Sequence, residues 1–162
     1  KAAEVLAAIE SEASRTLAEM RTMVRVLRED DDADYAPRRG VADLPDLART
    51  DARPRVDVSL NGSLTDLAPA VDAALFRLAQ ESLTNAIRHA RGATLVEIDV
   101  RRESDAVRLR VTDDGQPGLT QEPGFGLLGM RERTQLLGGS FSAGPGPAGG
   151  WVVEAVLPVE AA

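Results

Sequence analysis

Residues 80–90 read Gln80-Glu81-Ser82-Leu83-Thr84-Asn85-Ala86-Ile87-Arg88-His89-Ala90, the last half of a helix predicted to start at Pro69. Leu75, Leu78, Ser82 and Ala86 recur at intervals of three and four and give that helix a face to bury. Glu81, Asn85 and His89 stand at i, i+4 and i+8 and line up on another face, with Arg88 alongside. A carboxylate, an amide oxygen and an imidazole in a row can hold a magnesium ion and phosphates, because Mg²⁺ prefers oxygen ligands and usually keeps waters. Any amphipathic helix also has a polar side turned to solvent. Spacing alone leaves both readings open.

Working outward, strands are predicted near Thr94–Arg101 and Ala106–Thr112, joined by the turn Glu103-Ser104-Asp105. The second runs into Val111-Thr112-Asp113-Asp114-Gly115. A carboxylate at a strand end, beside a glycine that lets another group approach, suits an exocyclic amine such as that of adenine. An ordinary Asp-Gly turn reads the same way. A loop rich in glycine and proline spans Asp113 to Gly124 and leads into Gly124-Phe125-Gly126-Leu127-Leu128-Gly129-Met130-Arg131-Glu132-Arg133, with a helix expected from about Leu127 to Leu137. Bare backbone N–H groups at a helix start attract anions, and the helix dipole adds to the effect; a merely flexible entry loop is the other reading.

Two more strands, near Ser140–Ala143 and Trp151–Leu157, flank the turn from Gly144 to Gly150. Upstream, Asp43 to Ala52 suits a short helix and Arg55 to Leu60 alternates like a strand. Helices interrupting antiparallel strands with short turns predict an α+β fold, a two-layer α/β sandwich.

The amino-terminal part is different in kind. From about Ala3 to Arg28, Leu6, Ile9, Ala13, Thr16, Met20, Met23 and Leu27 form a heptad-like stripe that one helix cannot bury alone. A bundle helix of the same domain and a helix belonging to a dimeric bundle both fit. Glu29-Asp30-Asp31-Asp32 and Pro37-Arg38-Arg39-Gly40 then read as a solvated linker. The expected organisation is a bundle helix over 1–30, a linker over 31–40 and a folded domain over 41–159. The chain starts within a helical pattern and reads as part of a longer protein.

Composition narrows the chemistry. The 162 residues are 43% hydrophobic, enough for a packed core. There is no cysteine, which removes disulfides and thiolate metal sites, and His89 is the sole histidine, too few for zinc. A net charge of −7 argues against nucleic acid, whereas a nucleotide answers to a local pocket. No apolar run approaches the ~20 residues of a membrane span.

A Glu-x-x-x-Asn-x-x-x-His helix, two strands, an Asp-x-Gly turn, a short loop and a Gly-x-Gly helix start occur here in a characteristic order. In that order the chain resembles the catalytic ATPase domain of bacterial two-component sensor histidine kinases, within the superfamily of gyrase, chaperone and mismatch-repair ATPases. Residues 80–90 and 126–133 are similar to the branch of nitrate and membrane-fluidity sensors. Thr16 through Arg28 resembles the second helix of that branch's dimerisation and phosphoacceptor domain.

The resemblance implies ATP as substrate and Mg²⁺ as cofactor. It implies that Asn85 coordinates the ion, that Glu81 acts as the catalytic acid–base residue, and that Arg88 and His89 contact phosphate. Asp113 would accept the adenine amine, with Gly115 permitting the approach. Gly124, Gly126, Leu127 and Gly129 would give the phosphates room and amides at the end of a lid running from Gly115 to Phe125. Three positions depart from the family pattern: Gln116-Pro117 precedes Gly118, Phe125 stands where relatives often carry a polar residue, and Trp151 stands where many carry threonine. The implied partners are the protein's own phosphoacceptor and dimerisation domain, as a homodimer, and a response regulator, in the cytoplasm. With no histidine before residue 89 the chain is not expected to phosphorylate itself. The competing functions are a nucleotide-sensing or interaction module without turnover and an anti-sigma serine kinase of the same superfamily.

Overall fold

The computed structural model describes residues 39–116 and 125–160, which belong to one compact unit. The expected bundle helix over 1–30 and nearly all of the expected linker lie outside the described residues.

Among these residues the chain forms a five-stranded sheet and helices in the order 3₁₀ helix Val41–Leu47, β1 Arg55–Asn61, α1 Pro69–His89, β2 Leu95–Arg102, β3 Ala106–Asp113, α2 Phe125–Leu136, β4 Ser140–Pro145 and β5 Trp151–Pro158. The strands lie side by side as β1-β2-β3-β5-β4. One pair departs from the antiparallel expectation: β1 and β2 run parallel. The reason is α1, because strands joined through a helix return to the same end of the sheet, whereas hairpin turns reverse direction. The remaining neighbours are antiparallel.

Period-two alternation decides which sheet face is covered. Val96, Ile98 and Val100 on β2, Val107, Leu109 and Val111 on β3, and Val153, Ala155 and Leu157 on β5 are buried. Against them α1 places Val71, Ala74, Leu75, Leu78, Ala79, Ser82, Leu83 and Ala86, the stripe expected from its spacing. Pro69 occupies the first turn of α1, where its missing N–H costs nothing. The opposite sheet face is a ladder of charge and hydroxyl. Ser59 and Asn61 both donate to Asp99, and Arg108 pairs with Glu103 and Glu154. That is a two-layer α/β sandwich, one layer of helices on one sheet.

Two helices sit off their expected bounds. The first, expected over Asp43–Ala52, is a 3₁₀ helix over Val41–Leu47, where Val41 and Leu44 reach the core and Pro45 limits hydrogen bonding within it. The second begins at Phe125 rather than about Leu127. Helix propensity disfavours glycine, yet Gly126 lies in the first turn of α2.

Candidate functional site

Three segments meet at the carboxy-terminal half of α1. The last turn of α1 carries Arg88 and His89, basic groups that complement the helix dipole. Both are exposed, while Glu81 and Asn85 are half-buried. The polar row expected from the sequence is therefore continuous: buried behind, open in front.

The first turn of α2 closes on that row. A Cβ added to Gly126 would stand 3.0 Å from Oε1 of Glu81 and 3.9 Å from the side-chain amide nitrogen of Asn85. The approach to Glu81 is tighter than most Cβ contacts and favours glycine, whereas the distance to Asn85 is ordinary van der Waals contact. A Cβ at Gly129, one turn on, would meet open space, and Leu127 lies between them, half-buried. Behind this contact the two helices are tied by the buried Ser82 hydroxyl, which donates to Sδ of Met130 at 3.6 Å, while Thr134 donates to the Met130 carbonyl. Gly124 and residues 117–123 of the expected lid lie outside the described residues, as does the side chain of Phe125.

The Asp-x-Gly turn reaches the same end of α1 by another route. Arg91 and Gln116 exchange two backbone hydrogen bonds, at 3.1 and 2.9 Å, joining the chain just past α1 to the chain just past Gly115. Gly115 packs on Ala90 and Ala93.

Its two adjacent carboxylates differ sharply. Asp114 accepts the N–H groups of Thr94 and Leu95 at 2.7 and 2.9 Å and the Thr94 hydroxyl. The Thr94 hydroxyl and these amides hold its carboxyl below the usual aspartate range. Asp113 is half-buried at the end of β3, where burial pushes its carboxyl up, against the backbone N–H groups of Gly115 and Trp151. Gly115 donates to its Oδ1 at 2.9 Å, and no side chain among the described residues donates to Oδ2. Asp114 thus fastens the turn to β2, whereas the Asp113 carboxyl meets backbone N–H groups of its own turn and of β5. Sequence alone missed that division of labour; a threonine twenty residues upstream gave no local signal of it.

The predicted residues are therefore gathered rather than scattered. Glu81, Asn85 and Gly126 are in contact, Arg88 and His89 follow on the same helix, and Asp113 and Gly115 sit where α1 ends. Among the described residues no group of three His, Cys, Asp or Glu side chains is arranged to cage a metal. A divalent ion here would take one or two protein oxygens and complete its shell with waters and phosphate oxygens, the usual habit of Mg²⁺. Asn85 fits that donor set. No described helix is long and apolar enough to cross a membrane.

Residues 70–161 match the family described as histidine kinase-, DNA gyrase B- and HSP90-like ATPase. The sensor histidine kinase YxjM of Bacillus subtilis is 35% identical over 91 residues, covering 56% of this chain and 22% of that protein. The sensor histidine kinase LnrJ of the same organism is 30% identical over 139 residues, covering 86% and 34%. The chain spans about a fifth to a third of these relatives. The histidine kinase domain of the Erythrobacter litoralis EL346 blue-light activated histidine kinase shares the fold, with a TM-score of 0.53 at 24% identity over 64% of this chain and 55% of that one.

Proposed function

The chain belongs to the histidine kinase-, DNA gyrase B- and HSP90-like ATPases, the matched residues being the ATP-binding catalytic domain of a sensor histidine kinase, and from that premise we propose that it binds Mg²⁺–ATP between α1 and the Asp113 turn and passes the γ-phosphoryl group to a phosphoacceptor histidine elsewhere in the whole protein. The observation that carries this is the contact of Gly126 with Glu81 and Asn85, together with the stitching of Gln116 to Arg91. These bring a helix start, an oxygen-bearing helix face and a lone carboxylate acceptor to one place.

Phosphoryl transfer asks a protein for positioning and charge stabilisation more than for covalent chemistry. In this reading Asn85 supplies an oxygen to the ion. Mg²⁺, when bound, bridges phosphate oxygens and neutralises their charge. Arg88 and His89, at the open end of the row, contact phosphate. Backbone amides of Gly126 and Leu127 face the phosphates at the positive end of the α2 dipole, and Gly129 leaves them room. Glu81 orients the attacking imidazole or takes its proton. Asp113 accepts the 6-amino group of adenine on its carboxylate, and Gly115 keeps that approach open.

Residues 1–30 supply the second helix of a dimerisation bundle and 31–40 its linker, so the whole protein acts as a cytoplasmic homodimeric kinase module serving a response regulator. The wording of 80–90 and 126–133 supports reading it as a member of the branch of nitrate and membrane-fluidity sensors. Calorimetric titration tests the core of this proposal. ATP should bind with Mg²⁺ and bind at least about tenfold more weakly without it or in Asn85→Ala, a difference of ~1.4 kcal/mol. Absence of any ATP heat, or affinity indifferent to both changes, overturns it.

A further inference from the structure

Among the described residues only two polar side chains are buried, Ser82 at 2% exposure and Thr134 at 0%. Both direct their hydrogen bonds to the same residue. Ser82 donates its hydroxyl to Sδ of Met130 at 3.6 Å, and Thr134 donates to the Met130 carbonyl at 2.8 Å. Ser82 is the one polar residue in the buried stripe of α1. Its bond to Met130 is, among the described residues, the only hydrogen bond that joins α1 to α2.

Stability does not account for a hydroxyl at this place. A thioether is a weak acceptor, and alanine forms helix better than serine. What a buried hydroxyl supplies is a penalty for misplacement. Without an acceptor it is costly to keep from water, so α2 is held at the rotation that brings the sulfur to it. Apolar contact is non-directional and imposes no such choice.

The location of the bond ties it to the site. Gly126 and Met130 stand one turn apart, at i and i+4 on one face of α2. On α1, Ser82 follows Glu81 directly and neighbours Asn85, three residues on. The rotation fixed by Ser82 and Met130 is therefore the one that sets Gly126 beside Glu81. A turn of α2 by about 20° about its own axis would carry its backbone, about 2.3 Å from that axis, through about 0.8 Å. Misplacement by about 1 Å is enough to cost about a hundredfold where a reaction rests on positioning.

Resting on the nucleotide reading above, we infer that Ser82 and Met130 are positioning residues whose buried hydroxyl–thioether bond sets the rotation of α2 on α1 and so holds the first-turn amides of α2 at the phosphates. Both act through Gly126 and its neighbours rather than by touching the nucleotide.

Variants of the whole 162-residue chain separate this role from packing: Ser82→Ala, Met130→Leu, which keeps the bulk of the side chain, and the two combined. Circular dichroism checks that each is folded, thermal melts give stability, and calorimetric titration gives the affinity for Mg²⁺–ATP. Ser82→Ala should melt within about 3 °C of wild type yet bind ATP about fivefold more weakly. Met130→Leu should melt several degrees lower, because the hydroxyl is left in the core without its acceptor, and should lose affinity to the same extent. In the double variant that hydroxyl is gone, so the melting temperature should return toward that of Ser82→Ala. Its affinity should stay about fivefold low, since all three variants lack the same bond. A pair that only packs would give affinity that ignores the changes or follows the melting temperature. Unchanged affinity in Ser82→Ala, recovery of affinity in the double variant, or losses that multiply there overturn the inference and leave the ATP site standing. If the wild-type chain gives no ATP heat, the nucleotide reading falls and this inference with it.

Discussion

Gly126 lies against Glu81 so closely that a Cβ on the glycine would come within 3.0 Å of the glutamate Oε1. The start of α2 and the polar face of α1 are thus in contact through an atom that the sequence leaves out.

Gly126→Ala separates stability from binding. The alanine favours the helix by up to ~1 kcal/mol, and its methyl displaces the Glu81 carboxylate from beside Asn85. Melting temperature is expected to hold or rise while ATP affinity falls several-fold. Gly129→Ala, entering open space, should raise the melting temperature by a few degrees. Calorimetry and thermal melts on the two variants decide it; an unchanged ATP affinity in Gly126→Ala contradicts the placement of the site.

Asp113 makes the fold pH-sensitive in a defined direction. Burial raises its carboxyl in the folded chain, so the folded state binds more protons than the unfolded state across the window above the ordinary aspartate value. Its share of stability is intact below that value and lost as pH rises through the raised one. Asp113→Asn removes this titration. Its melting temperature relative to wild type should be greatest at neutral pH and should shrink steadily on acidification. A gap that is constant with pH refutes the argument. The same variant should lose its preference for ATP over GTP, because the amide can donate to the guanine carbonyl.

Asp114 titrates with the opposite sign. Its lowered carboxyl, held first by the Thr94 hydroxyl, contributes stability above the ordinary aspartate value that disappears as pH falls through the lowered one. Because these bonds face solvent, Asp114→Ala should cost about 1 kcal/mol, or about 4 °C. Thr94→Ala added to it should cost less than the sum of the two single changes. Full additivity would mean that the two groups are not joined.

Much of this is legible in the sequence. The apolar spacing of Leu75, Leu78, Ser82 and Ala86 sets which face of α1 is buried, and that fixes where Glu81, Asn85 and His89 emerge. Local alternation places β3 and hence Asp113 at a strand end. What sequence could not give is set by non-local contact. Gly126 reads as loop because propensity counts only its own backbone, and its approach to Glu81, forty-five residues away, leaves no local trace in the sequence. The parallel pairing of β1 with β2 depends on where α1 returns the chain, and the pairing of Asp113 with Trp151 depends on a register that no short motif encodes.

The entry of the chain into the folded unit is built on one aspartate of the same helix. Val41 donates its N–H to Oδ1 of Asp72 at 2.8 Å, in the first turn of α1, and Gly40 is pressed on the Asp72 carboxylate with no space for a Cβ. Gly40 is extended, at φ −130°, so crowding rather than backbone strain demands glycine there. Its own N–H donates to Asp43 at 2.8 Å, and the Arg39 guanidinium lies 5.6 Å from the Phe76 ring centroid. Gly40→Ala must push the carboxylate aside, break the bond to Val41 and leave a part-buried N–H without its acceptor, at a cost of about 1–3 kcal/mol. Asp72→Ala loses the acceptor but makes room. Combining them should therefore cost little more than Asp72→Ala alone, because the clash is gone once the carboxylate is gone. Urea denaturation of the two single variants and the double variant measures the coupling directly, and additive costs would show that Gly40 is small for some reason other than Asp72.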